Sequence, residues 1–357
     1  MRKTVGETQT KMKGKLPAEG LKLTFEPLDL NLKHLFTIAN SSRSTTPVML
    51  TRISYEGFTG YGEASMPPYL GESQATAEKF LQALNLSQFT DPFRLDEILN
   101  YADQVAPGNT AAKASVDIAL HDLTGKLVQL PIYKIWGFSP ELTPNTSFTI
   151  GIAQPDVIRQ KVTEAAAYKL LKVKLDGVND REMIETVRSA TEKPLCVDVN
   201  QGWKHKEEAL EMVYWLQEKG VVFVEQPMPK ANKEDHAWLS ERSPLPIIGD
   251  EAIQRLSDVK EAVDVYSGIN IKLMKCTGLR EARNMATLAN ALGLKVMIGC
   301  MTETSCAISA AAQLSPKTDW ADLDGNLLIT NDPYKGVSIE NGKVKLVDKP
   351  GIGISKV

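Results

Sequence analysis

The sequence predicts an α/β chain, a closed (β/α) barrel preceded by an α+β domain, and three observations carry that expectation. From about Thr146 onward, short β-branched and apolar runs (TSFTIGI, LLKVKL, PLCVDVN, VVFVEQP, PIIGDE, GINIKL, KVMIG) alternate with longer amphipathic stretches. This alternation calls for parallel strands joined by helical crossovers, and its extent of about 180 residues suits a closed barrel better than an open sheet. No GxGxxG follows an early strand, so the dinucleotide-binding form of an open sheet lacks its phosphate-binding turn.

Taken in order, residues 1–20 are basic and polar without an apolar core, which reads as a loosely held tail rather than a secretory leader. Residues 21–140 form the α+β domain. There LKLTFEPLDLNL, PVMLTRISYEG and TGYGEAS suggest an antiparallel meander with Gly turns, and helical stretches begin at Ser73, Pro92 and Asn109. The barrel is assigned to residues 141–333. In the final segment, 334–357, Asn341-Gly342 is a hairpin signal, and the segment is expected to return to the first domain.

Composition narrows the class. Hydrophobic residues make up 43% and charged residues 24%, an ordinary globular balance, and no apolar run reaches membrane-spanning length. With a net charge of -3 and scattered basic residues, there is no footprint for nucleic acid or an anionic membrane. Partners are therefore expected to be small molecules, with a homo-oligomer left open. Cys196, Cys276, Cys300 and Cys306 show no CxxC spacing and lie in apolar contexts, which reads as reduced core thiols in a cytoplasm. His34, His121, His205 and His236 form no HxH or HExxH pattern, so any metal must be held by oxygen.

In such a barrel the reactive side chains stand at the C-terminal ends of the strands. The second strand ends in Lys172-Val173-Lys174, the third in Asp198-Val199-Asn200, the fourth in Glu225-Gln226-Pro227, the fifth in Gly249-Asp250-Glu251, and the sixth carries Lys272. Successive spacings from Lys174 to Asp198, Glu225, Asp250 and Lys272 are 24, 27, 25 and 22 residues, one strand-helix unit each. An Asp at one strand end is more often a helix cap than a ligand. Three carboxylates on consecutive strand ends instead suit a hard divalent cation, with Mg²⁺ the natural candidate, because without one they would repel at a partly dry site. Lys172 and Lys174, two apart, share one side of their strand. The bland reading makes them salt-bridge partners of nearby acids. The strand context favours a base, with their mutual repulsion and a nearby cation depressing at least one pKa.

Together with GYGEA in the first domain, the KxK, DxN, EQP, GDE and IK series resembles the enolase superfamily, in its muconate lactonizing subgroup. The resemblance implies a (β/α)7β modified TIM barrel, a capping domain built from the N-terminal segment and the C-terminal tail, and one Mg²⁺. It also implies roles: Lys174 and Lys272 as acid/base residues on opposite faces of the substrate, Lys172 polarising the substrate carboxylate, and Asp198, Glu225 and Asp250 as metal ligands. Charge preorganised around a carboxylate is what makes its weakly acidic α-carbon ionisable, as an enediolate. Return of the proton from the opposite face inverts the centre.

Within the subgroup, Asp322 and Asp324 in WADLDG are similar to the dipeptide epimerase pattern, two carboxylates able to hold a substrate ammonium; the alternative is that they cap a loop. Thr149, at the end of the first strand, also matches a substrate-contacting position. In family members that act on dipeptides ending in glutamate, a loop arginine holds the distal carboxylate. A gapless match onto LFTIANSSRST puts Ser41 there and Arg43 two residues away. The expected substrate is therefore a dipeptide whose second residue is small or apolar, with Thr302 facing that side chain. Rival readings are a cycloisomerase, an o-succinylbenzoate synthase or an N-acylamino acid racemase on the same metal site, a metal-free barrel using Lys272 as a Schiff base, and a non-catalytic barrel.

Overall fold

The computed structural model describes residues 20–38 and 41–357, with the main chain only at residues 36–38, 41 and 42. The tail expected over residues 1–20 lies, except for Gly20, outside the described residues.

Three antiparallel strands, β1 (Lys22–Ile38), β2 (Ser41–Tyr55) and β3 (Phe58–Ser65), form the meander of the cap. Glu56 and Gly57, at φ 47° and 82°, make the two-residue turn from β2 to β3, whose twist matches that of the strands. Helices α1 (Gln74–Ala83), α2 (Leu95–Val105) and α3 (Thr110–Leu127) follow, then the single turn α4 (Ile132–Ile135). Ser73 starts α1 through a reciprocal capping box with Thr76. The GYGEA segment is explained by contact with α3: a Cβ on Gly60 or Gly62 would come within 2.0 or 1.9 Å of the Ala119 or Ser115 carbonyl oxygen. Only glycine lets helix and strand approach this closely.

Eight parallel strands follow, each bonded to the next: β4 (Ser147–Ile150), β5 (Leu170–Lys174), β6 (Leu195–Asp198), β7 (Val221–Glu225), β8 (Ile247–Gly249), β9 (Gly268–Lys272), β10 (Lys295–Gly299) and β11 (Trp320–Asp322). A parallel bridge between Thr146 and Ala321 brings the last strand back to the first. The crossovers are α5 (Pro155–Glu164), α6 (Asp180–Arg188), α7 (Lys206–Glu218), α8 (Lys233–Arg242), α9 (Leu279–Ala291) and α10 (Ser305–Ala312). Between β8 and β9 the chain forms a 3₁₀ stretch, Leu256–Ala262, where the sequence spacing suggests a full helix. Side-chain alternation then sorts the barrel into layers. Leu170, Cys196, Phe223 and Ile248, each two residues before a charged strand-end residue, cluster with Met297 and Trp320 beneath the charged mouth.

Cap and barrel are joined through helix N-termini, whose first amides lack intrahelical acceptors. Asp117 of α3 accepts from the amides of Leu279 (2.6 Å) and Arg280 (3.2 Å) at the start of α9. Glu63 of β3 does the same for α10, accepting from the amides of Thr304 (2.9 Å) and Ala307 (3.3 Å).

The final segment adds β12 (Tyr334–Lys335), paired with β15 (Ser355–Lys356), and a hairpin of β13 (Ser338–Glu340) and β14 (Lys343–Lys345) around Asn341-Gly342. Both turn residues have positive φ, 51° and 77°. The segment also bonds to the cap: the Gly351 amide donates to the Leu130 carbonyl (3.0 Å) and the Ile352 amide to Asp122 (3.0 Å). Among the described residues no helix is long and apolar enough to cross a membrane.

Candidate active site

The C-terminal strand ends open into a cavity of about 410 Å³, walled by Lys172, Lys174, Asp250, Lys272, Asp322 and Asp324 of the barrel and by Arg43 and Tyr69 of the cap. Asp198 and Glu225 lie against it with no exposed surface. One carboxylate oxygen each from Asp198, Glu225 and Asp250 lies within 4.8 Å of the others, close enough to share one ion. The donor set is all oxygen and anionic, which suits a hard dication.

The electrostatics agree with that fit. Burial, and then repulsion from Asp198, push Glu225 up to about 7. Its Oε2 is buried without a hydrogen-bond partner, although Lys172 Nζ lies 2.6 Å away off the hydrogen-bonding direction. For Asp198, burial works upward, but Lys172 and Lys174 outweigh it and bring the carboxyl down to about 2. Asp250 is likewise held below the carboxylate range, because Lys272 and Lys275 outweigh its burial. Glu225 is thus the least compensated of the three, the oxygen pair on which a cation would act most.

Lys172 and Lys174 share an environment, as their spacing implies: both reach Asp198 Oδ2, at 3.1 and 2.6 Å. Lys172 also touches Glu225 (2.6 Å) and Asp322 (2.8 Å), while Lys272 lies 2.8 Å from Asp250 Oδ2. Strands β5 and β9 therefore flank the three that carry the acids, with a lysine on each side. Burial works to lower the Lys172 pKa, but Asp198, Asp322 and Glu225 hold it well above the ordinary value. Lys272 is raised in the same way against its burial, chiefly by Asp250. Carboxylates at contact distance outweigh a second ammonium.

Asp322 and Asp324 both face the cavity, but β11 ends at Asp322, so Asp324 stands beyond the strand at the head of a 3₁₀ turn. Asp322 accepts from Ser147 Oγ (2.6 Å) and Lys172 (2.8 Å), and Asp324 from the Thr149 amide (2.7 Å). Burial and the Asp322 charge push Asp324 up to about 6. Thr149 thus lies at the cavity wall with its amide committed to Asp324.

β1 pairs with β2 as far as Asn31 opposite Thr45, and pairing resumes at Phe36 opposite Arg43, so four residues of β1 stand against one of β2. Arg43 reaches the cavity and donates to Thr302 Oγ1 at 3.2 Å. Burial lowers its pKa from the ordinary guanidinium value. Thr302 is on the cavity wall, and the Ser41 side chain lies outside the described residues.

The sequence reading misses several participants. Tyr69 closes the cavity from the cap, its hydroxyl donating to Met301 Sδ at 3.1 Å. Asn270 donates to Glu225 Oε1 at 2.7 Å, and its place two residues before Lys272 on one strand is the signal that could reveal it. Buried Lys275, three residues past Lys272, contacts Asp250. Of the cysteines, Cys196, Cys276 and Cys306 are buried, whereas Cys300 lines the cavity.

Two family descriptions match the chain: mandelate racemase / muconate lactonizing enzyme, N-terminal domain, over residues 26–137, and enolase C-terminal domain-like, over residues 157–356. The chain is 60% identical over 338 residues to the L-Ala-D/L-Glu epimerase of Bacteroides thetaiotaomicron, covering 94% of this chain and 88% of that one. It is 40% identical to the L-Ala-D/L-amino acid epimerase of Pedosphaera parvula, over 92% and 97% of the two chains. The solved structure of a dipeptide epimerase from Enterococcus faecalis V583, complexed with Mg and L-Leu-L-Tyr, matches with a TM-score of 0.88 at 31% identity, covering 94% of this chain and 99% of that one.

Proposed function

Since this chain belongs to the enolase superfamily, we propose that it is an isomerase, a Mg²⁺-dependent dipeptide epimerase that inverts the α-carbon of the C-terminal residue by two-base proton transfer through an enediolate. The observation that carries the reading is one cavity holding two kinds of feature: Lys174 and Lys272 on either side of the three clustered acids, and Asp322 with Asp324 at its wall. The acids and lysines suit any member of the muconate lactonizing subgroup. The aspartate pair suits a substrate with a free ammonium, which cycloisomerase, o-succinylbenzoate synthase and N-acylamino acid racemase substrates lack.

Asp198, Glu225 and Asp250 would hold the Mg²⁺, which supplies positive charge to the substrate carboxylate as the α-proton leaves. Lys172 adds a permanent ammonium beside that site. Lys174 and Lys272, both on the cavity wall, remove and return the proton at the α-carbon from opposite sides. Asp322 and Asp324 receive the substrate ammonium, a charge that would also offset the repulsion between the two carboxyls.

In place of the small or apolar second residue expected from the gapless match, we propose an acidic one. Arg43 and Thr302 meet in the cavity, a guanidinium there favours a carboxylate, and the 60%-identical relative is an L-Ala-D/L-Glu epimerase. The test is incubation of a dipeptide library with Mg²⁺ in deuterated water, scored by mass gain. Exchange at one carbon of L-Ala-L-Glu, faster than in L-Ala-L-Val, is expected. Exchange confined to acylated amino acids defeats the epimerase reading, and a preference for L-Ala-L-Val defeats the acidic specificity.

A further inference from the structure

We infer that Lys275 is a positioning residue for the cation site, fixing Asp250 so that a single carboxylate oxygen is presented to the metal. This deepens the functional reading above and rests on its assignment of Asp198, Glu225 and Asp250 as ligands.

Lys275 lies in the turn after β9 and is 1% exposed. Its Nζ donates to Asp250 Oδ1 (2.5 Å), to the Asp250 carbonyl (2.7 Å) and to the Asn270 carbonyl (2.9 Å). Three donors meet three acceptors, the full satisfaction that a buried ammonium requires. The other oxygen, Oδ2, is taken by Lys272 at 2.8 Å.

The two lysines play different parts. Lys272 stands on the cavity wall and Lys275 does not. Oδ2 is therefore the Asp250 oxygen on the side from which a cation or substrate arrives, while Oδ1 is held from behind. By binding two main-chain carbonyls as well, Lys275 ties the end of β8 to β9, and Asn270, whose carbonyl it holds, donates its side chain to Glu225. Asp250 and Glu225 are thus braced by adjoining contacts of one short segment. In a packed interior such bracing decides where an anionic oxygen points.

Charge and geometry predict opposite signs here. Lys275 puts a positive charge beside a ligand oxygen, so a purely electrostatic role means that removing it strengthens cation binding. A positioning role means that removing it weakens binding, as loss of outer partners of metal ligands commonly does by roughly 10- to 100-fold.

The deciding measurement is Mg²⁺ affinity by isothermal titration calorimetry on the full chain without substrate. Lys275→Met, similar in length but without donors, is expected to bind Mg²⁺ roughly tenfold or more weakly than wild type. Lys275→Arg, which keeps charge and donors, is expected to recover most of that loss. Equal or tighter binding by Lys275→Met overturns the inference. Should circular dichroism in EDTA find Lys275→Met unfolded, Lys275→Gln, also neutral but with one donor, is read in the same way. A wild-type chain that binds no Mg²⁺ overturns the reading of the three acids themselves, and is told apart from failure of this inference because no variant is needed to see it.

Discussion

Glu63 and Thr304 meet across the boundary between cap and barrel: the Glu63 carboxylate accepts from both the amide and the hydroxyl of Thr304, the residue that caps α10. Thr302, two residues earlier, walls the cavity, so the contact that seats the cap also fixes one side of the site.

Glu63→Ala leaves the amides of Thr304 and Ala307 without acceptors in a buried place. The expected loss is about 2–4 kcal/mol of unfolding free energy. Denaturant titration at constant pH measures it. Wild-type stability in the variant would show that the contact contributes nothing net.

Glu303 supplies a pH signature. Burial, then the charge of Glu63, push its carboxyl up to about 8. The unfolded chain loses that proton near the ordinary glutamate value of about 4.3. Across the window between, the folded state keeps a proton that the unfolded state has released, so stability falls as pH rises. Glu303→Gln removes this contribution and is expected to be more stable than wild type at pH about 8.5, by on the order of 1 kcal/mol or more, with the difference shrinking toward pH about 5. Stability profiles that run parallel across the window would refute it.

Metal removal has a thermal readout. Mg²⁺ at about a hundred times its dissociation constant should stabilise the chain by about 2.7 kcal/mol, raising the unfolding temperature by an amount that EDTA abolishes and excess Mg²⁺ restores. Asp250→Asn and Glu225→Gln should lose that response together with turnover. A Mg²⁺ shift retained in both would place the ion elsewhere.

Lys174→Ala and Lys272→Ala should each cut epimerisation by about 10²–10⁴-fold. They should differ in solvent deuterium exchange: each variant still exchanges the α-proton of the one diastereomer that its remaining lysine faces. Mass spectrometry of the recovered dipeptides reads this directly. Equal exchange of both diastereomers by either variant contradicts a two-base mechanism.

Arg43→Met should lower kcat/KM for L-Ala-L-Glu by about 1.5–3 kcal/mol in transition-state terms, the range for a hydrogen bond to a charged group, while L-Ala-L-Val changes little. Equal losses on both substrates would make Arg43 a structural residue of the loop.

The barrel and its charged rim are legible in the sequence because both rest on repetition. A strand alternates its side chains, a crossover has a nearly constant length, and Asp198, Glu225, Asp250 and Lys272 recur at that period. The features that escape depend on tertiary placement. Arg43 stands on the cavity wall beside Thr302, from the other domain, a meeting that residue spacing along the chain does not mark. Lys275 sits in a turn, and only the approach of Asp250 and two carbonyls separates it from a surface lysine. The raised pKa of Lys172 escapes for the same reason: residue spacing shows the neighbouring ammonium but not the three acids pressed against it.

Lys172 touches carboxylates at the ends of three different strands, β6, β7 and β11. Loss of its amine would strand several buried anions at once, so its substitution and theirs should be strongly non-additive. A designer seeking a new chemistry here would have to exchange opposite charges in matched steps.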